Sequence, residues 1–401
     1  MREVVILSAA RTPIGKFRGV FNHTSAVELG IAAGQSAIER AKINPKQIQQ
    51  VILGQVLQAG SGQNPARQVG LNLDIPQTSP AMTINEVCGS GLKSVILGAQ
   101  AIQLGIENTV LVGGIENMSQ SPLLHQRVGR DETIDPDSLI DSMFNDGLTD
   151  AFSQMPMGTT AEAVADKYQI SRLAQDQYAL ESQLKAAAAQ TAGFFDQEIV
   201  PVTLKDGQVI NQDQGIRGNS TLERLSELAT VFQTNGTVTA GNSSTINDGA
   251  AALVLMAKEE ADLQGLSYLA ILDSYSEIGN EPGYMGYAPY YAIKELLEKT
   301  KQTAEDIDLF EINEAFASQS IAVARDLQLP ADKVNISGGA IALGHPLGAS
   351  GARILTTLLY ALEREGKQQG IASLCVGGGI GLALSVRRPI GRKGGYHEPL
   401  C

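Results

Sequence analysis

A chain of 401 residues, 43% hydrophobic and 18% charged, holds the material for two or three packed domains and is too apolar to be disordered over most of its length. Its formal net charge of -13 excludes general nucleic-acid binding, which needs a dense basic face, and no Lys/Arg block occurs before Arg387. Cysteines at only three positions, 88, 375 and 401, exclude a disulfide scaffold and fit a reducing, cytoplasmic setting; the scattered histidines lack zinc-ligand spacing, and no apolar run is long enough to span a membrane.

The start, Met1 to Leu7, is too short an apolar run for a signal peptide and meets Arg11-Thr12-Pro13 at once, so it reads as a first buried strand. From there to about Met118 strands and helices alternate: Val4-Ser8, a helix over Ser25-Ala41, Gln50-Val56, Ala81-Ile84, a helix over Gly89-Leu104, and Asn108-Val112. Cys88, in Asn85-Glu86-Val87-Cys88-Gly89-Ser90-Gly91, falls where a strand gives way to a helix. A helix N-terminus favours thiolate over thiol, so the position predicts a lowered pKa, with Gly89 and Gly91 allowing the tight turn. Read alone, Cys88 is equally a small buried residue opening a helix.

From Ser119 to Ser243 the texture changes to polar loops punctuated by helices, the pattern of an insertion. Thr159 and Glu162 have capping-box spacing ahead of a helix through Tyr168, and Ser171 caps another reaching about Thr191. Buried β returns with Ala250 to Met256. A second α/β region then echoes the first: Tyr268-Leu272, a helix over Tyr290-Thr300, Asp308-Ile312, a helix over Ala315-Leu327, a strand over Lys333-Ser337, a helix over Gly348-Arg364, and Ile371-Val376. The helix opened by Cys88-Gly89-Ser90-Gly91 and followed by Val110-Gly114 matches the one opened by His345-Pro346-Leu347-Gly348 and followed by Ser373-Gly378. Duplication of one α/β unit explains the match and would bring both helix N-termini to a common cleft. The expected division is residues 1–118 plus 244–267, an insertion at 119–243, a second α/β domain at 268–386, and a tail at 387–401.

Several residues at glycine-rich or helix-start corners could carry chemistry. His345 has the intrinsic pKa to take a proton from a thiol, Cys375 precedes three glycines that leave backbone N–H groups open, and Asn313 offers a neutral amide. Each has a purely structural reading when isolated. Together, in NEVCGSG around Cys88, GTVTAGNSSTINDGAA around Ser244, EINEAFA around Asn313, GGAIALGHPLGASGA around His345 and SLCVGGGIG around Cys375, they resemble the thiolase family, most closely its biosynthetic, acetyl-CoA acetyltransferase type. The motifs occur in the family's order, and the resemblance covers essentially Met1 to Val386.

That resemblance implies a duplicated five-layered α/β/α/β/α fold with an inserted loop domain, coenzyme A thioesters as substrates with no permanently bound cofactor and no metal, and a homodimer or homotetramer that binds neither nucleic acid nor membrane. It implies that Cys88 carries an acetyl group from acetyl-CoA, that His345 activates it, and that Cys375 is the acid/base for a second acetyl-CoA. By the same resemblance His345 and a water on Asn313 meet the enolate, while backbone N–H groups of Cys88 and Gly377 meet the acyl-enzyme oxyanion, yielding acetoacetyl-CoA. The insertion would cover coenzyme A, with Arg217 near the nucleotide, Ser244 near the pantetheine arm, and Leu148, Met157, Phe232 and Phe316 as apolar walls. Two departures stand out: Pro156 where relatives of this type carry His or Asn, which bears on acyl chain length, and Leu228-Ala229-Thr230-Val231-Phe232 in place of Leu-Arg-Pro-x-Phe. A degradative 3-ketoacyl-CoA thiolase is the nearest alternative, and an inactive acyl-CoA-binding protein a remoter one.

Overall fold

The computed structural model describes residues 1–126, 128–129 and 133–389; the tail beyond Pro389, with Cys401, lies outside them. Nine strands form the path of one large sheet: β1 (Val4–Arg11), β2 (Gln50–Gly54), β3 (Ala81–Ile84), β4 (Thr109–Asn117), β5 (Asn247–Ala257), β6 (Ala270–Gly279), β7 (Leu309–Ile312), β8 (Gln369–Val376) and β9 (Ile380–Arg387). Their order is β7-β8-β9-β6-β1-β5-β4-β2-β3. At its centre β1 and β6 meet antiparallel over three residue pairs, Val4 with Leu272, Val5 with Ile271 and Ile6 with Ala270.

Outward from that seam the halves repeat one another. In the first half β1, β5 and β4 run antiparallel in turn, then β2 and β3 follow parallel. In the second, β6, β9 and β8 run antiparallel and β7 follows parallel. The predicted strand over Lys333-Ser337 does not form; a single parallel bridge joins Phe310 to Val334. The reason is local. Asn335 turns into the left-handed region at φ 45°, and its side chain replaces a ladder, accepting from Ile312 N at 2.8 Å and donating to Ile312 O at 2.8 Å. At the other end Arg387, expected in the tail, closes β9 and pairs with Asp273 and Glu3.

Helices complete the layers. On the outer face of the first half lie α1 (Ala26–Ala41), held by a Ser25–Glu28 capping box, and α2 (Pro65–Asn72). Between the halves lie α3 (Ser90–Gln103) and the apolar α8 (Leu347–Arg364), whose core is shared with strands of both. On the outer face of the second half lie α6 (Ala288–Thr300) and α7 (Ala317–Asp326). The result is the α/β/α/β/α arrangement, with helices in the middle because both halves bury an apolar face against the same pair.

The middle helices cross at their first turns. A Cβ on Gly351 would lie 2.3 Å from Leu92 N, and one on Gly91 2.7 Å from Ala352 N, so only glycine permits the backbones to come this close. Between β4 and β5 the chain instead forms α4 (Met157–Tyr168), α5 (Arg172–Thr191) and small two-stranded pieces. Glu162 is not part of a cap: α4 begins at Met157 after Pro156, and the Glu162 carboxylate accepts from Thr237 N at 2.8 Å and Val238 N at 2.8 Å. Buried Arg11 ties β1 to this segment by pairing with Glu198 at 2.6 Å and Asp213 at 2.8 Å.

Candidate active site

Cys88 stands in the turn between β3 and α3, two residues before the helix begins. The left-handed residue of that turn is Val87, at φ 45°, and not one of the glycines; such backbone is strained for a β-branched side chain and costs about 1–3 kcal/mol. Ser90 clamps it, with Oγ accepting from Glu86 N at 2.8 Å and donating to Val87 O at 2.7 Å. Gly89 serves packing, because a Cβ there would lie 2.9 Å from both Leu382 and Val376.

The residue is part-exposed and packs against an apolar cluster that includes Val56, Leu57 and Leu347. Burial pushes the thiol up to about 11, and the Glu116 carboxylate adds to the shift. Backbone N–H groups of Gly377 and of Cys88 itself face the sulfur and oppose that shift without overcoming it. Burial therefore works against the lowering expected from the helix end.

His345 is buried and neutral, its pKa lowered to about 3 by burial and by the Arg353 charge. Its ring is fixed at both ends. Ser350, one turn into α8, spends its single hydroxyl proton on Pro346 O at 2.9 Å and so accepts from His345 Nδ1 at 2.5 Å. That leaves Nε2 as the lone-pair nitrogen, 3.5 Å from Asn313 Nδ2. The Asn313 Oδ1 is buried without a partner, which suits a bridging water. Asn313 is not a helix cap, since α7 begins four residues later. Among the described residues no hydrogen bond joins Cys88 to His345; Ile246, which packs against the same apolar cluster as Cys88, bridges to His345.

Cys375 is buried at the end of β8, and its pKa is raised, chiefly by burial and further by charge on nearby Cys88. Its neighbours are Met285, Ala315, Met157 and Phe316. Sequence reasoning missed Gln319, whose Oε1 lies 3.5 Å from the Cys375 sulfur, and Ser350; both sit about one turn into helices following the residues singled out, and that spacing was the available signal. It also missed Glu116, whose buried carboxylate accepts from Val56 N, Leu57 N and Gly348 N and so fixes the start of α8 against β2.

Two family models account for nearly all of the chain, the thiolase N-terminal domain over residues 4–259 and the thiolase C-terminal domain over residues 266–388. The chain belongs to the thiolase family. Curated relatives named probable acetyl-CoA acyltransferase, from Staphylococcus epidermidis and Staphylococcus aureus, are 50% and 49% identical, covering 97% of this chain and 99% and 100% of their own. Among solved structures, the Bacillus anthracis acetyl-CoA acetyltransferase superposes with a TM-score of 0.94 at 41% identity, over 97% of this chain and 99% of its own. The human mitochondrial 3-ketoacyl-CoA thiolase, also solved in complex with CoA, superposes at 0.93 and 41%, over 96% of this chain and 99% of its own.

Met157 and Phe316 adjoin Cys375, and the Phe232 ring packs flat over Gly158 and edge-on to Phe316, 6.3 Å between centroids. Leu148 packs against the same apolar cluster as Cys88. Half-buried Ser244 donates its N–H to Ala315 O at 2.9 Å. Arg217 is exposed on a loop seated over Ala342 and Leu343, the turn that leads into His345. The departing Leu228-Phe232 segment is held from α5 by Arg172, which donates to Leu225 O and Leu228 O. Pro156 closes a loop from Thr149 in which Asp150 accepts from Ser153 N, and Phe152 of that loop faces Gly378. Among the described residues no cluster of metal-ligating side chains occurs, and no helix is long and apolar enough to cross a membrane.

Proposed function

We propose that the chain is an acetyl-CoA acetyltransferase that condenses two acetyl-CoA to acetoacetyl-CoA and free CoA, reversibly and as a homodimer or homotetramer. The supporting observation is the convergence of two thiols, one ahead of α3 in the first half and one at the end of β8 in the second, with the Gly377 N–H facing Cys88 and the His345 ring held beside Asn313.

Cys88 Sγ attacks the thioester carbonyl while its proton passes to His345 Nε2. The oxyanion is met by the N–H groups of Cys88 and Gly377, and CoA leaves as its thiolate, which only afterwards takes the proton of Cys375. The Cys375 thiolate then takes a methyl proton from the second acetyl-CoA. The enolate oxygen is met by His345 and a water on Asn313, and its carbon attacks acetyl-Cys88. Collapse expels the Cys88 thiolate, which recovers its proton from His345. The thioester acidifies the methyl group, and fixed donors stabilise charge where it develops. Arg217, Ser244, Leu148, Met157, Phe232 and Phe316 bind CoA and the acyl chain in this reading, residues 119–243 forming the cover.

A broader 3-ketoacyl-CoA thiolase is the second reading, favoured by equal identity to the human mitochondrial enzyme and by Phe152 standing open beside Gly378. Thiolysis rates on acetoacetyl-CoA and on longer 3-ketoacyl-CoA decide between them. Turnover falling steeply beyond four carbons supports the short-chain reading; efficient long-chain cleavage sinks it.

A further inference from the structure

Gln319 is fully buried on α7, wedged between Cys375 and Gly286, where a Cβ would lie 2.8 Å from its own Cβ. A buried amide without partners is costly, and this one has two. Its Nε2 donates to Ser320 Oγ at 3.0 Å, and Ser320 passes its single proton to Phe316 O at 3.2 Å. Ser320 is therefore an acceptor toward Gln319, which turns Oε1 to the Cys375 sulfur at 3.5 Å. A carbonyl oxygen there can only accept. It bonds the thiol and offers nothing to the thiolate.

We infer that Gln319 is the positioning residue of Cys375, holding its S–H along the Oε1 direction so that the sulfur's lone pairs face Cys88 and the acyl group, and favouring the protonated acid over the base. The inference rests on Cys375 serving as the acid/base of the proposed reaction. It assigns the C–C step, and not acetylation of Cys88, as the step that Gln319 governs. Among the described residues the titratable group that shifts Cys375 is Cys88, and the apolar Met285 and Ala315 form one cluster with it.

The full-length enzyme and its Gln319→Leu and Gln319→Glu variants test this through acetyl-Cys88 formation, read by intact mass after mixing with acetyl-CoA, and through the pH profile of condensation. Gln319→Leu should acetylate within about twofold of wild type, lose about tenfold or more in condensation kcat with little change in KM, and shift the Cys375 limb of the profile to lower pH, because the bond that favoured the thiol is gone. Gln319→Glu keeps an acceptor and adds charge, so its limb should move to higher pH. Equal loss of acetylation and condensation with an unmoved limb would reduce Gln319 to packing. An upward shift in Gln319→Leu would mean that the amide donates to the sulfur; either result overturns the assignment. If the leucine variant does not fold, the glutamate variant decides alone, an upward limb supporting and an unmoved one refuting. A wild-type enzyme without acetyl-Cys88 would defeat the proposed reaction itself, whereas a normal wild type with an indistinguishable Gln319→Leu defeats only the role of Gln319.

Discussion

Cys88 and His345 rest as thiol and neutral imidazole, not as an ion pair, because burial pushes one pKa up and the other down. Charge then appears on sulfur only as it is handed to the thioester oxygen. Alkylation of Cys88 by iodoacetamide in the empty enzyme should rise about tenfold per pH unit between pH 7 and 9; a plateau near pH 7 would reveal a standing thiolate. Replacing Cys88 by Ala should abolish the acetyl-enzyme, and replacing Cys375 by Ala should spare it while stopping condensation, both read by intact mass and CoA release. Loss of Ser350 frees the imidazole to flip or change tautomer, so Ser350→Ala should lower kcat by about tenfold or more while leaving the melting temperature nearly unchanged. The corners holding Cys88, His345 and Cys375 stood out because their motifs are dense in glycine around a reactive side chain, whereas Asn313, in EINEAFA, stood out through the resemblance. Ser350 and Gln319 were not, since a serine or glutamine inside a helix advertises nothing until the partner it faces is known.

At the scale of elements, the alternation of strands and helices was readable from periodicity, and the internal echo was enough to expect two helix N-termini at one cleft. What periodicity could not supply was how close those helices come. The contact at Gly91 and Gly351 is backbone to backbone, so a single methyl must push α3 and α8 apart just where Cys88 and His345 are presented. Gly351→Ala should cost about 2–3 kcal/mol or more and reduce activity with it. Gly283→Ala, where an added Cβ meets nothing, should stay within about 0.5 kcal/mol by denaturant melts. Equal effects at the two glycines would deny that the crossing is tight. The strand expected at Lys333-Ser337 failed for the opposite reason: a side chain, Asn335, took over the backbone's bonding, and no pattern of apolar residues reports that.

Across the whole molecule the acidic excess, net -13, does not lie only on the surface. Glu116 is buried at the joint between β2, β4 and α8, and burial pushes its carboxyl up to about 7; Asp248, on β5 beside Met118 and Ser119, is pushed up to about 6. Both fold with pKa values above those of the unfolded chain, so the native state binds more protons than the unfolded state between roughly pH 4 and 7. Their contribution to stability is fully present below the unfolded values and is lost as pH rises through the folded ones. The melting temperature should therefore be higher near pH 5.5 than at pH 8, by about 3 °C for a chain of this size, with the slope concentrated below pH 7.5. Differential scanning calorimetry across that range, at fixed ionic strength, measures it. A melting temperature that climbs toward pH 8 would mean that the three backbone N–H groups on Glu116 outweigh its burial, and that the joint beneath the two middle helices is held by a carboxylate instead of a carboxylic acid.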